Sequence, residues 1–333
     1  MDYKSAGVDL AASEQSKQTI AELARRTHTK NVLHGIGLFG GFFQFPQQNY
    51  REPMLVASTD GVGTKIKLAC QLGKYHDIGV DIVNHCINDI MVGGADPLFF
   101  LDYLAFGRLE PAIVEELIAG ISEACRAANC ALLGGETAEM PDVYHGGEFD
   151  IAGTIVGVVE KAKIINGSAI AAGDVLLGVA SSGLHTNGYS LARKIVAANH
   201  EIAEEIYRNE LGETVGQTLL QPHRSYQKII AALREHEGVH GFSHITGGGI
   251  VGNTKRLLPA DLKLEIDWNA WKWPPIFTLL QDYGNVAIEE MRNVFNLGIG
   301  LVIIAERHAL NNIKGILDEL QETNWHIGEI THE

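Results

Sequence analysis

The most regular alternation of apolar and polar positions in the chain lies at residues 78–92. Apolar side chains repeat there at intervals of four along two adjacent rows: Ile82, Cys86 and Ile90, and Val83, Ile87 and Met91. Because residues four apart share one face of a helix, this spacing predicts an α-helix with a wide buried face.

A polar row runs along the same predicted helix. Asp81, His85 and Asp89 follow one another at intervals of four, and Asn88 lies beside them. Two interpretations stand: a face exposed to solvent, or the wall of a polar cavity in which Asp89 binds a metal ion. The segment contains neither Lys nor Arg, and this weakens the first interpretation, because solvated helix faces ordinarily carry charges of both signs.

The remaining periodicity predicts helices and strands mixed along the whole chain. Helices are expected at residues 13–30, 65–71, 111–128 and 308–320. A further helix is expected to follow the segment 181–190 and to end at about residue 199. Strands are expected at residues 54–57, 99–106, 131–133, 151–160, 174–180, 241–245, 297–305 and 325–330. This order predicts a mixed α+β fold, and the Asn-Gly-Ser turn at residues 166–168 is the expected boundary between two domains, 1–167 and 168–333.

One strand-to-helix connection, residues 58–65, combines an acid, two glycines, a hydroxyl and a lysine. Gly61 and Gly63 allow backbone N–H groups to approach a ligand closely, and the start of the following helix favours anions. Asp60 could hold a divalent cation, and Lys65 could meet a phosphate. The spacing is not that of a P-loop, so the segment indicates metal-nucleotide chemistry without proving it.

Three further segments place glycines and polar side chains where predicted strands end: residues 134–141, 181–190 and 246–249. The first brings an acid, Glu136, directly after two glycines. The second offers hydroxyls, an amide and His185 ahead of a helix. This concentration favours an anion or phosphate site over a helix cap made by Asn187 or Ser190 alone.

Composition narrows the class of protein. The 333 residues carry a net charge of −15 and no Lys/Arg run, which argues against a nucleic-acid binder. Four cysteines stand apart without a CxxC pair and are expected to be buried free thiols in a reducing compartment. The N-terminus lacks a secretory signal and no apolar run approaches the length of a membrane span, so a soluble cytoplasmic protein is expected.

Taken together, the segments resemble one family. The motifs DGVGTK (60–65), ND (88–89), GGETAEMP (134–141), SSGLHTNGYS (181–190) and TGGG (246–249) occur in the order seen in the aminoimidazole ribonucleotide synthetases, the phosphoribosylformylglycinamidine cyclo-ligases of purine biosynthesis. The opening segment 3–9 and the segment 97–103 are similar to that family as well. The resemblance covers essentially the whole chain.

The resemblance implies an ATP-dependent ring closure. Formylglycinamidine ribonucleotide and ATP would give 5-aminoimidazole ribonucleotide, ADP and phosphate through a phosphorylated amide, an iminophosphate. It also implies an N-terminal domain, 1–167, that binds ATP and dimerises through a sheet forming a β-barrel with its twin. The α+β domain 168–333, with a mixed sheet and helices, would contribute to the substrate site. A homodimer is expected.

The same resemblance implies roles for individual residues. Mg²⁺ would be bound by three carboxylates: Asp60, Asp89 and Glu136. ATP would be bound by residues of the N-terminal half: Lys4, Gly61, Gly63, Thr64 and Lys65. The ribotide would be bound by residues of the C-terminal half: Ser182, His185, Asn187, Ser190, Thr246, Gly247 and Gly248. Lys65, Asp89 and His185 would take part in catalysis, with the acid–base role of His185 left open.

Other functions remain to be weighed. Selenophosphate synthetases carry a Cys or selenocysteine beside the early Lys, and none stands near Lys4; hydrogenase-maturation relatives use a C-terminal Cys, which this chain lacks. The amidotransferase-dependent synthetase of the preceding purine step and thiamine-phosphate kinase stay possible. So does a non-catalytic ATP-binding dimer. A dehydrogenase resting on the glycines at 35–41 is disfavoured, because no helix pattern follows them.

Overall fold

The computed structural model describes residues 10–333, with side chains from Ser13 onward. The chain divides into two compact units. The first comprises residues up to Ile90 together with Ala95–Lys163, and the second comprises Met91–Gly94 and Ile164–Glu333. Each unit combines helices with a sheet, so the fold is mixed α+β, as predicted.

The first unit contains the helices and strands of the N-terminal half. The helices are α1 (Leu10–Arg25), α2 (Lys65–Leu72), α3 (His76–Met91, ending at the unit boundary) and α4 (Pro111–Ala127). The strands are β1 (Val32–His34), β2 (Phe42–Phe43), β3 (Pro53–Gly61), β4 (Asp96–Phe106), β5 (Ala131–Glu139) and β6 (Phe149–Glu160). Strands β1 and β2 pair only with each other, and no helix follows them directly, which removes the structural basis of a dehydrogenase.

Four of these strands form an open sheet in the order β3-β6-β4-β5. The β4–β5 pair is parallel and is connected by α4, whereas the other two pairs are antiparallel. On one face, side chains such as Phe100, Ile151 and Ile155 are fully buried. On the other face, Leu55 and Leu101 remain exposed. Within the described residues the sheet does not close into a barrel.

Strand β5 is longer than the sequence predicts. The strand was expected to end in a turn at Gly134, but it continues through the glycines and the acids to Glu139. Parallel pairing with β4 supplies the backbone hydrogen bonds of this extension. Gly135 is required for close approach, because a Cβ atom there would lie 2.3 Å from Asp102 Oδ1. The prediction of a glycine turn at this position was wrong.

The polar row on α3 is not a solvated face. Asp81 and Asn88 are fully buried, and His85 is 5% exposed. The interpretation as a face exposed to solvent is therefore wrong, and metal binding by Asp89 stays a prediction.

The second unit contains the remaining elements. The strands are β7 (Val175–Ala180), β8 (Tyr207–Arg208), β9 (Glu213–Thr214), β10 (Val239–His244), β11 (Leu262–Ile266), β12 (Ile299–Ala305) and β13 (Asn324–His332). The helices are α5 (Tyr189–Ala198), α6 (Val215–Leu220), α7 (Gln227–Leu233), α8 (Gly249–Thr254), α9 (Pro275–Gly284), α10 (Ile288–Val294) and α11 (Leu310–Glu319).

An antiparallel sheet in the order β10-β12-β7-β13-β11 organises this unit. The interior strand β12 is buried at every position, which explains why its sequence is a continuous apolar run rather than an alternating one. The carboxyl ends of β7 and β10 lead into the segments 181–190 and 246–249, so the sheet positions both predicted ligand-binding segments.

Two glycines allow α3 and α4 to cross closely. A Cβ atom at Gly79 would lie 2.0 Å from the Leu117 carbonyl oxygen, and one at Gly120 would lie 2.0 Å from the His76 carbonyl oxygen. We expect Gly79→Ala to lower the free energy of unfolding by about 2–4 kcal/mol, because overpacking against backbone forces the helices apart. Urea denaturation measures this change.

Gly315→Ala is the matched control, because Gly315 lies within α11 and a Cβ atom there meets nothing within 4 Å. This variant should gain up to about 1 kcal/mol from helix propensity. Equal stability of the Gly79→Ala variant and the wild-type protein would show that the α3–α4 crossing is not tight.

Candidate functional site

A pair of carboxylates lies where β3 meets α3. Ser58 and Asp60 stand two apart on β3 and therefore project to the same face, whereas Asp89 belongs to the polar row of α3. The Ser58 hydroxyl donates to Asp89 Oδ2 at 3.3 Å. His85 Nε2 lies 3.4 Å from Asp60 Oδ2 and 3.9 Å from Asp89 Oδ2. The strand and the helix thus bring together two acids that are 29 residues apart in sequence.

The two carboxyl groups influence each other electrostatically. Burial raises the pKa of Asp60 to about 7, and a hydrogen bond and charge repulsion from Asp89 add to the rise, whereas a hydrogen bond from the Gly61 backbone lowers it. Two adjacent carboxylates that resist simultaneous ionisation form an arrangement that a cation stabilises. Oxygen ligands of this kind suit Mg²⁺, so the residues present fit the metal ion that the sequence predicts.

Lys65 is placed differently from the sequence prediction. It is the first residue of α2, and its ammonium lies 2.7 Å from Asp81 Oδ2, with both side chains fully buried. In this arrangement the charge of Lys65 is directed to Asp81 of the α3 polar row. A contact between Lys65 and an ATP phosphate stays a prediction, and it would require this ion pair to rearrange.

Strand β3 extends further than predicted, because it was expected at residues 54–57 and continues to Gly61. Gly61 ends β3, Gly63 has φ +66°, and Thr64 precedes α2 without a hydrogen bond from its side chain to the helix. Their contacts with ATP stay predictions. Lys4 lies outside the described residues.

Glu136 is not brought to the carboxylate pair within this chain. In the sheet register Asp60 is opposite Gly153, Gly153 is opposite Asp102, and Asp102 is opposite Gly135. Glu136 is one residue further along β5, so it projects to the other face, beside Tyr103, and it is exposed. The expected set of three metal ligands is therefore divided between two faces of the sheet.

Asp102 is a buried acid that sequence analysis missed as a candidate. It shares a row of the sheet with Asp60, two strands away. Burial raises the pKa of Asp102 to about 7, and the charge of Glu136 contributes to the rise. A hydrogen bond from the backbone of Asp102 itself lowers the pKa and offsets part of this rise. A single acid on the buried face of a largely apolar strand was the available signal.

In the second unit, the segment 181–190 is held by the protein's own hydrogen bonds. The Ser182 hydroxyl donates to the Pro222 carbonyl at 2.5 Å. Helix α5 is capped by Gly188, with φ +78° and no side-chain hydrogen bond, so the interpretation of this segment as a cap by Asn187 or Ser190 is wrong. Asn187 is half-buried and Ser190 is exposed.

The segment 246–249 lies beside Asn187. A Cβ atom on Gly247 would meet Asn187 Oδ1 at 3.3 Å, whereas Thr246 is half-buried and Gly248 is exposed. The carboxamide of Asn253 donates to carbonyl groups of this segment, including those of Gly247 at 3.2 Å and of residue 249 at 2.8 Å. Asn253 therefore fixes the shape of the segment, a role that its position within a short helix did not reveal.

The side chain of His185 is buried in the second unit rather than exposed to solvent. Its φ is +62°, an unfavourable conformation for a residue with a side chain. The ring is fully buried and stacks on His223 with centroids 4.1 Å apart. Its Nε2 accepts a hydrogen bond from the Ser182 backbone at 3.3 Å. Such strain at a buried polar residue motivates a functional hypothesis, and a catalytic role of His185 stays a prediction.

We expect Asp60→Asn to stabilise the metal-free protein at about pH 8 by about 1 kcal/mol. The pKa of Asp60 is raised from 3.8 to about 7 in the folded state, so its contribution to stability falls as the pH rises from about 4 to about 7. The carboxyl is 35% exposed, and solvent screening reduces the effect below that of the full shift. Urea denaturation in chelator across this range measures it.

The difference between the Asp60→Asn variant and the wild-type protein should vanish below about pH 4, where the carboxyl is protonated in both the folded and the unfolded state. Added Mg²⁺ should raise the melting temperature of the wild-type protein only. A variant that loses stability relative to wild type as the pH rises would contradict the assigned repulsion.

The chain thus has an acidic pair in one α+β unit and polar, glycine-rich segments at strand ends in the other. The family described as "AIR synthase related protein" matches the chain twice. Its N-terminal domain matches residues 49–159, and its C-terminal domain matches residues 171–333. The chain belongs to this family.

Curated relatives are similar over nearly their whole length. The phosphoribosylformylglycinamidine cyclo-ligase of Carboxydothermus hydrogenoformans is 48% identical over 331 residues, which cover 99% of this chain and 96% of that one. The enzyme of the same name from Bacillus cereus is 47% identical over 98% of this chain and 94% of its own.

Solved structures show the same fold at low sequence identity. Thiamine-monophosphate kinase from Stenotrophomonas maltophilia has a TM-score of 0.72 at 17% identity, covering 94% of this chain and 93% of that one. The hydrogenase maturation protein HypE in complex with ATP has a TM-score of 0.68 at 15% identity, covering 95% and 86%. These likenesses concern the fold alone.

No helix in residues 10–333 is both long and apolar enough to span a membrane.

Proposed function

We propose that the chain is an ATP-dependent cyclo-ligase of the cytoplasm. It closes the imidazole ring of 5-aminoimidazole ribonucleotide from formylglycinamidine ribonucleotide and releases ADP and phosphate. The observation that carries the proposal is the pair Asp60 and Asp89, which both lie within 4 Å of His85 Nε2, in a chain 48% identical to a curated cyclo-ligase over 99% of its length. Four free cysteines, three of them buried, agree with a reducing compartment.

The chemistry explains why ATP is needed. A formamide oxygen is a poor leaving group, so it first attacks the γ-phosphorus of ATP and displaces ADP. The carbon of the resulting iminophosphate is then attacked by the amidine nitrogen, and the C–O bond breaks to release phosphate. Positioning and charge stabilisation supply the rate enhancement in reactions of this kind.

The residues of the first unit are assigned to ATP and the metal ion. Asp60 and Asp89 would hold Mg²⁺, with Gly61, Gly63 and Thr64 at the phosphates. The ion, when bound, would neutralise the charge of the phosphate oxygens. Because Asp60 retains a proton up to about pH 7, Mg²⁺ must displace that proton, and metal affinity should rise with pH through this range.

The residues of the second unit are assigned to the ribotide. Asn187 and Ser190 offer an amide and a hydroxyl beside the exposed backbone of Gly247 and Gly248. Ser182 and His185 would maintain the conformation of the segment. The Ser182 hydroxyl donates to the Pro222 carbonyl, and His185 accepts from the Ser182 backbone and stacks on His223. Thr246 donates its hydroxyl to Asn253 and completes the same framework.

A homodimer formed through the β3-β6-β4-β5 sheet is part of the proposal. One face of this sheet carries exposed apolar side chains, with Leu55 66%, Leu101 36% and Tyr103 38% exposed. A second copy presenting the same face would cover these residues and could close two open sheets into one barrel. Glu136 projects to this same face, so its role as a metal ligand would depend on the partner.

We expect the wild-type protein to sediment at twice the 36.2 kDa mass of the chain, and the Leu55→Asp/Leu101→Asp variant to sediment as a folded monomer. Two buried, unpaired charges in an interface cost several kcal/mol each, which is enough to dissociate it. Ile164→Asp, at an exposed apolar residue of the other unit, is the matched control and should stay dimeric. A wild-type monomer at micromolar concentration would contradict the dimer.

The experiment that tests the function measures ADP release with Mg²⁺-ATP, with and without formylglycinamidine ribonucleotide, beside a colorimetric assay for aminoimidazole. Equimolar ADP and aminoimidazole ribonucleotide, both dependent on the ribotide and both lost with chelator, are expected. ATP binding without ribotide-dependent ADP would contradict the proposal and favour a non-catalytic binder or a related enzyme with another substrate.

A further inference from the structure

Three histidines of the second unit form a compact buried cluster. His185 lies in the segment after β7, His223 lies ahead of α7, and His244 ends β10. One ring nitrogen of each histidine lies within 4.8 Å of the other two, and all three residues are buried. We call these residues the histidine cluster.

We propose that the histidine cluster binds one divalent transition-metal ion of the Zn²⁺, Co²⁺ or Ni²⁺ class. The site differs from the Asp60–Asp89 pair in donor chemistry. Imidazole nitrogen suits these ions, whereas Mg²⁺ requires oxygen ligands. Three imidazoles with a fourth position left for water or another ligand is a recurrent coordination of zinc.

The spacing of the rings is close to what such an ion requires. His223 Nε2 and His244 Nε2 are 2.9 Å apart. In tetrahedral coordination with Zn–N bonds of about 2.0–2.1 Å, two ligand nitrogens stand about 3.3 Å apart. This contact is a hydrogen bond between the two rings. An ion would replace it, and the two nitrogens need to separate by only a few tenths of an ångström.

The second ring nitrogen of His223 has a hydrogen-bond partner, as the non-ligating nitrogen of a metal-bound histidine usually does. Its Nδ1 is 3.3 Å from the Thr186 hydroxyl. When Nδ1–H donates to that oxygen, the lone pair of the ring is on Nε2, on the side of His244. The hydroxyl thus orients the ring and selects the tautomer that a metal ion needs.

His185 is the ligand that must change most. Its ring stacks on His223 with 23° between the planes, and its Nε2 accepts the Ser182 N–H at 3.3 Å. This hydrogen bond is long, and the stacked ring must rotate to direct a nitrogen at the ion. Its ligand nitrogen already lies within 4.8 Å of those of His223 and His244, so a rotation of the side chain is the main change required.

The experiment titrates the full-length, chelator-treated protein with Co²⁺ and then displaces Co²⁺ with Zn²⁺, in the absence of ATP and ribotide. We expect one Co²⁺ per chain with the intense visible absorption of a tetrahedral site, and resistance to excess Mg²⁺. His223→Gln should weaken binding by about 100-fold or more, since loss of an outer partner alone costs 10–100-fold. Circular dichroism checks that the variant is folded.

One variant serves as the control. His308→Gln removes a histidine that is 81% exposed in the same unit. It should bind Co²⁺ as the wild-type protein does. Absence of stoichiometric binding, or equal affinity of the wild-type protein and a folded His223→Gln variant, would overturn the proposal.

X-ray absorption of the Zn²⁺-loaded wild-type protein keeps the proposal testable if His223→Gln does not fold. Three imidazole ligands are expected, and a shell of oxygen ligands or a single imidazole would overturn the site. None of these measurements depends on turnover, so their outcome is independent of the proposed cyclo-ligase activity.

Discussion

Asp89→Asn is expected to lower kcat by about 10³-fold or more while the protein stays folded. Asp89 is one of the two carboxylates assigned to Mg²⁺, and loss of a metal ligand removes several kcal/mol of transition-state stabilisation. The same change relieves the repulsion that raises the pKa of Asp60, so the metal-free variant should be no less stable than the wild-type protein. Steady-state ADP release and thermal unfolding measure the two effects.

Asp77→Asn is the matched control. Asp77 lies in the first turn of the same helix, 49% exposed and 3.2 Å from His76 Nδ1. Its variant should keep activity within about twofold, as surface substitutions commonly do. Full activity of Asp89→Asn would remove Asp89 from the metal site. Inactivity of both variants would show that α3 tolerates no change and would leave Asp89 without a specific role.

Lys65→Met is expected to lower the free energy of unfolding by about 3–5 kcal/mol. The substitution deprives the fully buried Asp81 carboxylate of the ammonium that lies 2.7 Å away, and a buried charge that loses its partner is strongly destabilising. Urea denaturation at neutral pH measures the change, and the midpoint should fall while the dependence on urea concentration stays the same.

The double variant Lys65→Met/Asp81→Leu separates the two roles considered for Lys65. If the ion pair is structural, the double variant should recover most of the lost stability, because apolar groups can replace a buried pair at little cost. If Lys65→Met instead folds with wild-type stability and loses only its affinity for ATP, the phosphate role implied by the sequence resemblance holds and the structural role assigned here is contradicted.

The α3 helix shows how much of the site the sequence predicts. Regular spacing identified the helix and its polar row, because intervals of four translate directly into one face. Burial of that row could not be read from the chain, since it depends on elements that are distant in sequence. For the same reason the pairing of Lys65 with Asp81 was missed: a lysine at the start of a helix looks the same whether it faces a ligand or a buried acid.

Strand β5 and the histidine cluster show a different limit. The glycines at 134 and 135 carried a turn signal that parallel pairing with β4 overrode, and the resulting extension moved Glu136 to the face opposite Asp60. The three histidines, at positions 185, 223 and 244, are 21 to 59 residues apart in sequence. The proximity of His185 and His244 follows from the order β10-β12-β7 of the sheet, which local patterns do not encode.

The central claim is that the chain transfers the γ-phosphoryl group of ATP to the amide oxygen of formylglycinamidine ribonucleotide. The most direct test supplies ribotide labelled with ¹⁸O in the formyl group and analyses the released phosphate by mass spectrometry. The account predicts one ¹⁸O atom in each phosphate, with the label absent from ADP. Unlabelled phosphate formed together with aminoimidazole ribonucleotide would contradict it, because the oxygen would then have left by another route.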